Sequence, residues 1–270
     1  MKKALLVGIN KYPDPRNELH GCINDITDMA AFITKQRQFA SPDVRLLSDA
    51  RATKANIMER LEWLTQGAKA GDQLLFHYSG HGAQMATRSK SGELDGLDEV
   101  ICPYDFDWSD ATALKDKEFA KIFSGLPKGA DFIWISDSCH SQDLSRGIKK
   151  PVKGIFKVRT MIPPPDIAWR NMSISRTNVT LNELAKTAKE KNLALISGCK
   201  STQESADAVF NKKANGALSY FLLKSLNAKT GKTTSLSELV AIINKSLRKV
   251  KYPQEPQIEG STALMGANFF

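Results

Sequence analysis

The chain has 270 residues, 41% of them hydrophobic and 25% charged, which is enough for one large domain with a sizeable core. Its 38 basic and 29 acidic side chains give a net charge of +9, but the basic residues are scattered and lack the aromatic interleaving of a base-stacking surface, so nucleic acid is not expected as a partner. The apolar run in MKKALLVGINKY is only about six residues, too short for a signal peptide, and no stretch nears the ~20 residues of a membrane span.

In chain order, apolar runs that suit buried strands are ALLVGI at 4–9, VRLL at 44–47, QLLFHYS at 73–79, EVICP at 99–103, DFIWIS at 131–136 and LALIS at 193–197. Most are short, fully apolar and rich in branched or aromatic residues, as in a sheet covered on both faces. Helical stripes lie between them. Ile23, Ile26, Ala30 and Ile33 share one face, as do Ile57, Leu61 and Leu64 after a Thr53 cap. Thr180 with Glu183, and Ser235 with Glu238, have capping-box spacing. The alternation predicts a three-layer α/β/α sandwich around a mainly parallel sheet. Residues 144–180 break the rhythm and read as an insertion or processing loop. They separate a larger part, 1–143, from a smaller one, 181–270.

Two of these strands end in reactive groups. One runs into SGHG with His81, the other into DSCHS with Cys139. In open α/β sheets, ligands bind beyond the carboxyl ends of strands. A cysteine nucleophile needs a base, and that base can come from a distant loop. The Gly82 and Cys139 amides could then donate to a developing oxyanion. Cys22, Cys102, Cys139 and Cys199 form no CxxC pair, which argues against zinc and redox-pair chemistry and fits a reducing, cytoplasmic compartment. His77, inside a strand, reads as a core histidine, and His140 should face away from Cys139.

HYSGHG at 77–82 with DSCHS at 137–141 resembles the paired motifs of metacaspases, cysteine peptidases of the caspase–hemoglobinase fold. LLVGINKY, ELHGCINDITDM, GLDEVICPYDF, ISGCKSTQESAD, NGALSYFLL and QEPQIEG resemble further family segments in the family's order. The resemblance implies peptide-bond hydrolysis through an acyl-enzyme, with Cys139 as nucleophile and His81 as acid/base. It also implies a substrate pocket built from Cys22, Asp25, Ser79 and Asp137. Carboxylates in a partly dry pocket suit a guanidinium, so cleavage after Arg, with Lys second, is expected. Protein or peptide substrates and a monomer follow from the same likeness. The alternative is a catalytically weak caspase-like interaction module.

No cofactor is required for this chemistry. Many metacaspases are activated by calcium, and Asp95, Asp98, Asp116 and Asp143 are the candidate ligands here, although Lys117 beside Asp116 would repel a cation. The basic run after the cysteine motif suggests self-processing after Arg146, Lys149 or Lys153.

Overall fold

The computed structural model describes residues 1–86, 97–140, 155–172, 183–200, 203–228 and 233–270. The first elements are β1 (Lys2–Gly8), α1 (Cys22–Gln36), β2 (Val44–Ser48), α2 (Lys54–Thr65) and β3 (Gln73–Ser79). Next come β4 (Gly82–Ala86), β5 (Leu97–Ile101), β6 (Leu114–Lys115), α3 (Asp116–Ser124) and β7 (Asp131–Asp137). Beyond the cysteine motif lie β8 (Ile155–Val158), α4 (Pro165–Met172), α5 (Glu183–Glu190), β9 (Leu193–Ser197), β10 (Ala206–Phe210) and β11 (Lys213–Gly216). The chain finishes with α6 (Ala217–Leu226), α7 (Leu236–Lys249), β12 (Gln257–Gly260) and α8 (Thr262–Met265).

The central sheet has the order β12-β9-β7-β3-β1-β2. All its pairings are parallel except that of β12 with β9. Successive side chains of a strand point to opposite faces, and here both faces are apolar. Leu5, Val7, Phe76, Tyr78, Phe132 and Trp134 join one core cluster with α2 and α3. Ala4, Leu6, Leu75, Ile133 and Ile135 join the other with α1, α6 and α7. The result is the expected α/β/α sandwich, and β7–β9 pairing ties the segments before and after residues 144–180 into one sheet.

Local signals in the helices hold as well. The Thr53 hydroxyl accepts from the Asn56 amide at the start of α2, and Ser235 and Glu238 close a capping box on α7. Thr180 lies outside the described residues. Three expectations change. EVICP does not join the central sheet: its strand β5 pairs antiparallel with β4, from Gly82↔Ile101 to Ala86↔Leu97, because the chain after His81 turns back on itself as a separate ribbon. β12 adds an antiparallel edge, and the span 144–180 contains β8 and α4.

The two strands that matter most for function are aligned residue by residue. β3 pairs with β7 so that Ser79 stands opposite Asp137. The strand order reverses at β1, with β2 on one side and β3 on the other, so the topological switch point lies between β1 and β3, next to this pair. Trp134 anchors this region in an aromatic group with Phe76, Phe119 and Phe123, its ring 4.3 Å from that of Phe119 between centroids. Phe119→Ala should therefore cost about 3–5 kcal/mol of stability, read as a lowered urea midpoint.

Candidate active site

The loops after β3 and β7 meet. The Gly82 amide and the Cys139 amide donate to one and the same oxygen, the carbonyl of Arg159, at 3.0 and 3.1 Å. Any side chain on Gly82 would collide with the Cys139 backbone, so glycine is needed for this approach. The two amides that the sequence reading pairs as donors to an oxyanion thus point at one oxygen atom.

His81 is almost fully buried. Its backbone is held on both sides: its N–H donates to the Tyr12 hydroxyl at 2.9 Å, and its carbonyl accepts from the Tyr78 hydroxyl at 2.7 Å. The Tyr12 ring lies 4.9 Å from the imidazole. Nε2 is 2.8 Å from the Asn17 carbonyl, an acceptor only, so Nε2 carries the proton and Nδ1 keeps its lone pair. Nδ1 is buried with no hydrogen-bond partner among the described residues. Burial pushes the imidazole down to about 4, the Asn17 bond opposes this, and the Arg159 charge adds to it. The Cys139 thiol, also buried, donates to the Gln203 carbonyl at 2.6 Å.

Beside these groups lies a pocket of three buried carboxylates. Asp25 comes from the first turn of α1, Asp137 from the end of β7 and Asp207 from β10. Ser79 bonds to Asp25 at 2.7 Å. The Gly216 amide and the Asn215 side chain also hold Asp25. Asp137 accepts from the Ser205 hydroxyl and from the amide and hydroxyl of Ser219. Asp207 accepts from the amides of His20 and Gly21. Burial raises Asp25 to about 6, with Asp137 adding to the rise and Arg159 opposing it. Cys22 is buried against the same group, and burial pushes its thiol up.

One guanidinium fills this pocket. Arg159 is 0% exposed. Its Nη2 is 2.8 Å from Asp25 and 3.0 Å from Asp207, and its Nη1 is 2.7 Å from the Ser79 hydroxyl and 3.1 Å from the Asp137 carbonyl. The Asp137 carboxylate is 3.4 Å from Nη1. Burial alone would lower the guanidinium's pKa, but the Asp137, Asp25 and Asp207 carboxylates outweigh it and hold the group charged. Gly216 forms the pocket floor, where a Cβ would strike both Asp137 and Arg159.

The structure therefore brings together every substrate-pocket residue expected from sequence: Cys22, Asp25, Ser79 and Asp137. Sequence reasoning missed Asp207, Ser205, Ser219, Gly216 and Arg159. ISGCKSTQESAD and NGALSYFLL carried the signal for the first four, as segments of likeness without assigned roles. His140 bonds the Val100 carbonyl at 3.0 Å, and His77 meets the Ser219 hydroxyl at 3.2 Å, so each is engaged elsewhere.

Two of the calcium candidates, Asp98 and Asp116, lie among the described residues. Asp98 is buried, with Lys115 Nζ at 2.6 Å and Lys117 Nζ at 3.6 Å from the same carboxylate oxygen. Lys115 also reaches Asp110 at 2.7 Å. Asp116 opens α3. No cluster of three or more His, Cys, Asp or Glu suited to a metal occurs among the described residues. Asp95 and Asp143, and the processing candidates Arg146, Lys149 and Lys153, lie outside the described residues. No helix among the described residues is long and apolar enough to cross a membrane.

A model of the metacaspase, peptidase C14 domain matches residues 2–145. Metacaspase-1 of Meyerozyma guilliermondii is 32% identical over 301 residues, spanning 96% of this chain and 69% of that protein. Metacaspase-1 of Mycosarcoma maydis is 34% identical over 290 residues, spanning 96% of this chain and 70% of that protein. Among solved structures, protein GSU0716 from Geobacter sulfurreducens aligns with a TM-score of 0.71 at 26% identity, covering 99% of this chain and 97% of that one.

The burial of His77 and His81 yields a direct check. His77 is also pushed down to about 4, chiefly by burial. Of the four histidines, these two should stay neutral through pH 5–8 in an NMR titration, and His81→Ala should remove one of the low-titrating signals.

Proposed function

This chain belongs to the metacaspase family and is a caspase-like cysteine peptidase, a hydrolase; on that premise we propose that it cleaves peptide bonds after arginine, and after lysine more slowly, through a Cys139–His81 dyad. The observation that carries the specificity is the pocket's contents. Three carboxylates and a serine hydroxyl hold a guanidinium in a site closed to water. An aspartate side chain in the same place would meet only like charges. Lysine would keep the charge and lose the forked geometry.

In this reading the substrate arginine enters the pocket and its carbonyl oxygen lies between the Gly82 and Cys139 amides. The Cys139 sulfur attacks the carbonyl carbon. His81 Nδ1 accepts the thiol proton and passes it to the departing amine as the carbon–nitrogen bond breaks. Water then hydrolyses the thioester, with His81 taking a proton from it. Asn17 keeps the ring in the required tautomer, the part a carboxylate plays in a triad. Protein substrates with exposed arginine follow from this specificity.

Lys115 beside Asp98 supports a second element of the proposal: an ammonium already supplies the positive charge there, so catalysis does not depend on calcium.

Four outcomes test the proposal. Fluorogenic peptides ending in Arg should be cut far faster than those ending in Asp, and Cys139→Ala should abolish turnover; equal rates for Arg and Asp would refute the acidic-pocket model. Asp137→Asn should weaken kcat/KM for arginyl peptides by roughly 2–5 kcal/mol, the scale for one partner of a buried charge pair. As pH rises through about 6, Asp25 ionises and attracts guanidinium more strongly. The arginyl kcat/KM should therefore climb across that range, and Asp25→Asn should flatten the climb. Chelation with EGTA should leave the arginyl activity unchanged, and a loss restored by calcium would overturn the role given to Lys115.

A further inference from the structure

Arg159 contributes more than a side chain to the site, and its backbone is in register too. Its carbonyl accepts from the Gly82 and Cys139 amides, the pair assigned to the oxyanion. Its own amide donates to the Ser205 carbonyl at 2.9 Å. The residues before it form β8, which pairs antiparallel with β10, with Val158 opposite Ala206 and Lys157 opposite Asp207. β8 is the edge of the small sheet β11-β10-β8. An extended peptide recognised by strand addition to β10 would lie along this edge. On the other side of Arg159, the Met161 amide donates to the Gly82 carbonyl at 2.9 Å, and the Thr160 hydroxyl to the Cys139 carbonyl at 3.4 Å.

Resting on the arginine specificity argued above, we propose that residues 155–161 are a tethered pseudosubstrate: the chain occupies its own cleft, with Arg159 in place of the arginine before the cleaved bond. Guanidinium in the acid pocket, carbonyl between the two amides and strand on the β10 edge are the three contacts a cleavable peptide needs, and one segment makes all three. It is an inhibitor because both sides of the Arg159–Thr160 bond are held. The Met161 and Thr160 contacts keep the leaving side in place, so an amine released there could recombine before it diffused away. Meanwhile the Cys139 thiol is committed to the Gln203 carbonyl. A foreign arginyl peptide binds only after this segment withdraws, and its apparent affinity falls by the fraction of molecules that are open.

The test uses the full chain and an arginyl dipeptide chloromethylketone, which alkylates the cysteine of an arginine-binding site. Wild type should form the Cys139 adduct slowly. Arg159→Lys, which keeps a counter-charge among the carboxylates, should react at least about tenfold faster. Because Arg159 variants remove a buried ion partner, a second readout uses wild type alone. Hydrogen exchange after adduct formation should show the Arg159 and Met161 amides losing the protection that Ser205 and Gly82 give them. Equal labelling rates in wild type and a folded Arg159→Lys, or unchanged protection at these amides in the adduct, would overturn the proposal. So would intact masses showing that active wild type is cut between Arg159 and Thr160, since the segment would then be a substrate. An absence of any Cys139 adduct in both proteins is a different result: it removes the arginine-specific peptidase reading itself, and this inference with it.

Discussion

Three carboxylates buried around one guanidinium set the terms for the rest of this molecule. Asp25, Asp137 and Asp207 are each fully shielded from water, and among the described residues only Arg159 brings them a full positive charge within hydrogen-bond reach. Ionised groups this deep are tolerated when they are paired and hydrogen-bonded. The pocket meets the second condition with the fixed donors of Ser79, Ser205, Asn215, Gly216 and Ser219. It meets the first only while a cation is present. A state without Arg159 must therefore admit another cation, water or protons. Asp25, already raised to about 6 by burial, is the group that takes up the proton. On the proposed specificity, a substrate arginine and Arg159 would compete for the same charge deficit, which would make specificity and self-occupation two aspects of one site.

The pocket also explains why the parts of the chain on either side of 144–180 work together. Asp25, Ser79 and Asp137 come from the first, while Asp207 and most of the donors that fix the carboxylates come from the second. The Ser219 amide at the start of α6 reaches Asp137 at 2.8 Å, and the Gly216 amide reaches both oxygens of Asp25. Continuity of the sheet through β7 and β9 holds these contributions in register.

Much of this was legible in the sequence, for reasons that are local. Apolar runs of strand length marked five of the six central strands. The apolar strands that end in SGHG and DSCHS marked where Ser79, His81, Asp137 and Cys139 would gather. What escaped depends on long-range placement. VRLL and EVICP look alike as apolar runs, yet one pairs with β1 in the central sheet and the other with β4 in a ribbon, because partner choice depends on long-range placement rather than on composition. Asp207 looks like an ordinary polar residue in a short strand, and its role exists only once β10 is laid beside α1's N-terminus. Arg159 is the sharpest case. In sequence it closes a run of Lys149, Lys150, Lys153 and Lys157, which reads as a solvated basic loop. Charge patterning has no means of singling out the one member of such a run that finds buried counter-ions.

The same occupation bears on the base. His81 is pushed down first by burial and further by the Arg159 charge, while the Asn17 bond works the other way. An imidazole near 4 is neutral at pH 7 but a poor holder of the thiol's proton, so the closed form does not favour an ion pair between His81 and Cys139. Withdrawal of residues 155–161 would admit water to the cleft and remove the nearby charge, reversing both depressing influences and leaving the Asn17 bond in force. The imidazole then moves back toward its ordinary value of about 6.5, the range in which a base best serves a neutral-pH peptidase. A substrate arginine that refills the pocket would restore part of the depression on binding, before the sulfur attacks, and it would persist while the proton passes to the departing amine. One movement thus clears the cleft and tunes the base, so opening would change the rate at the sulfur as well as access to it.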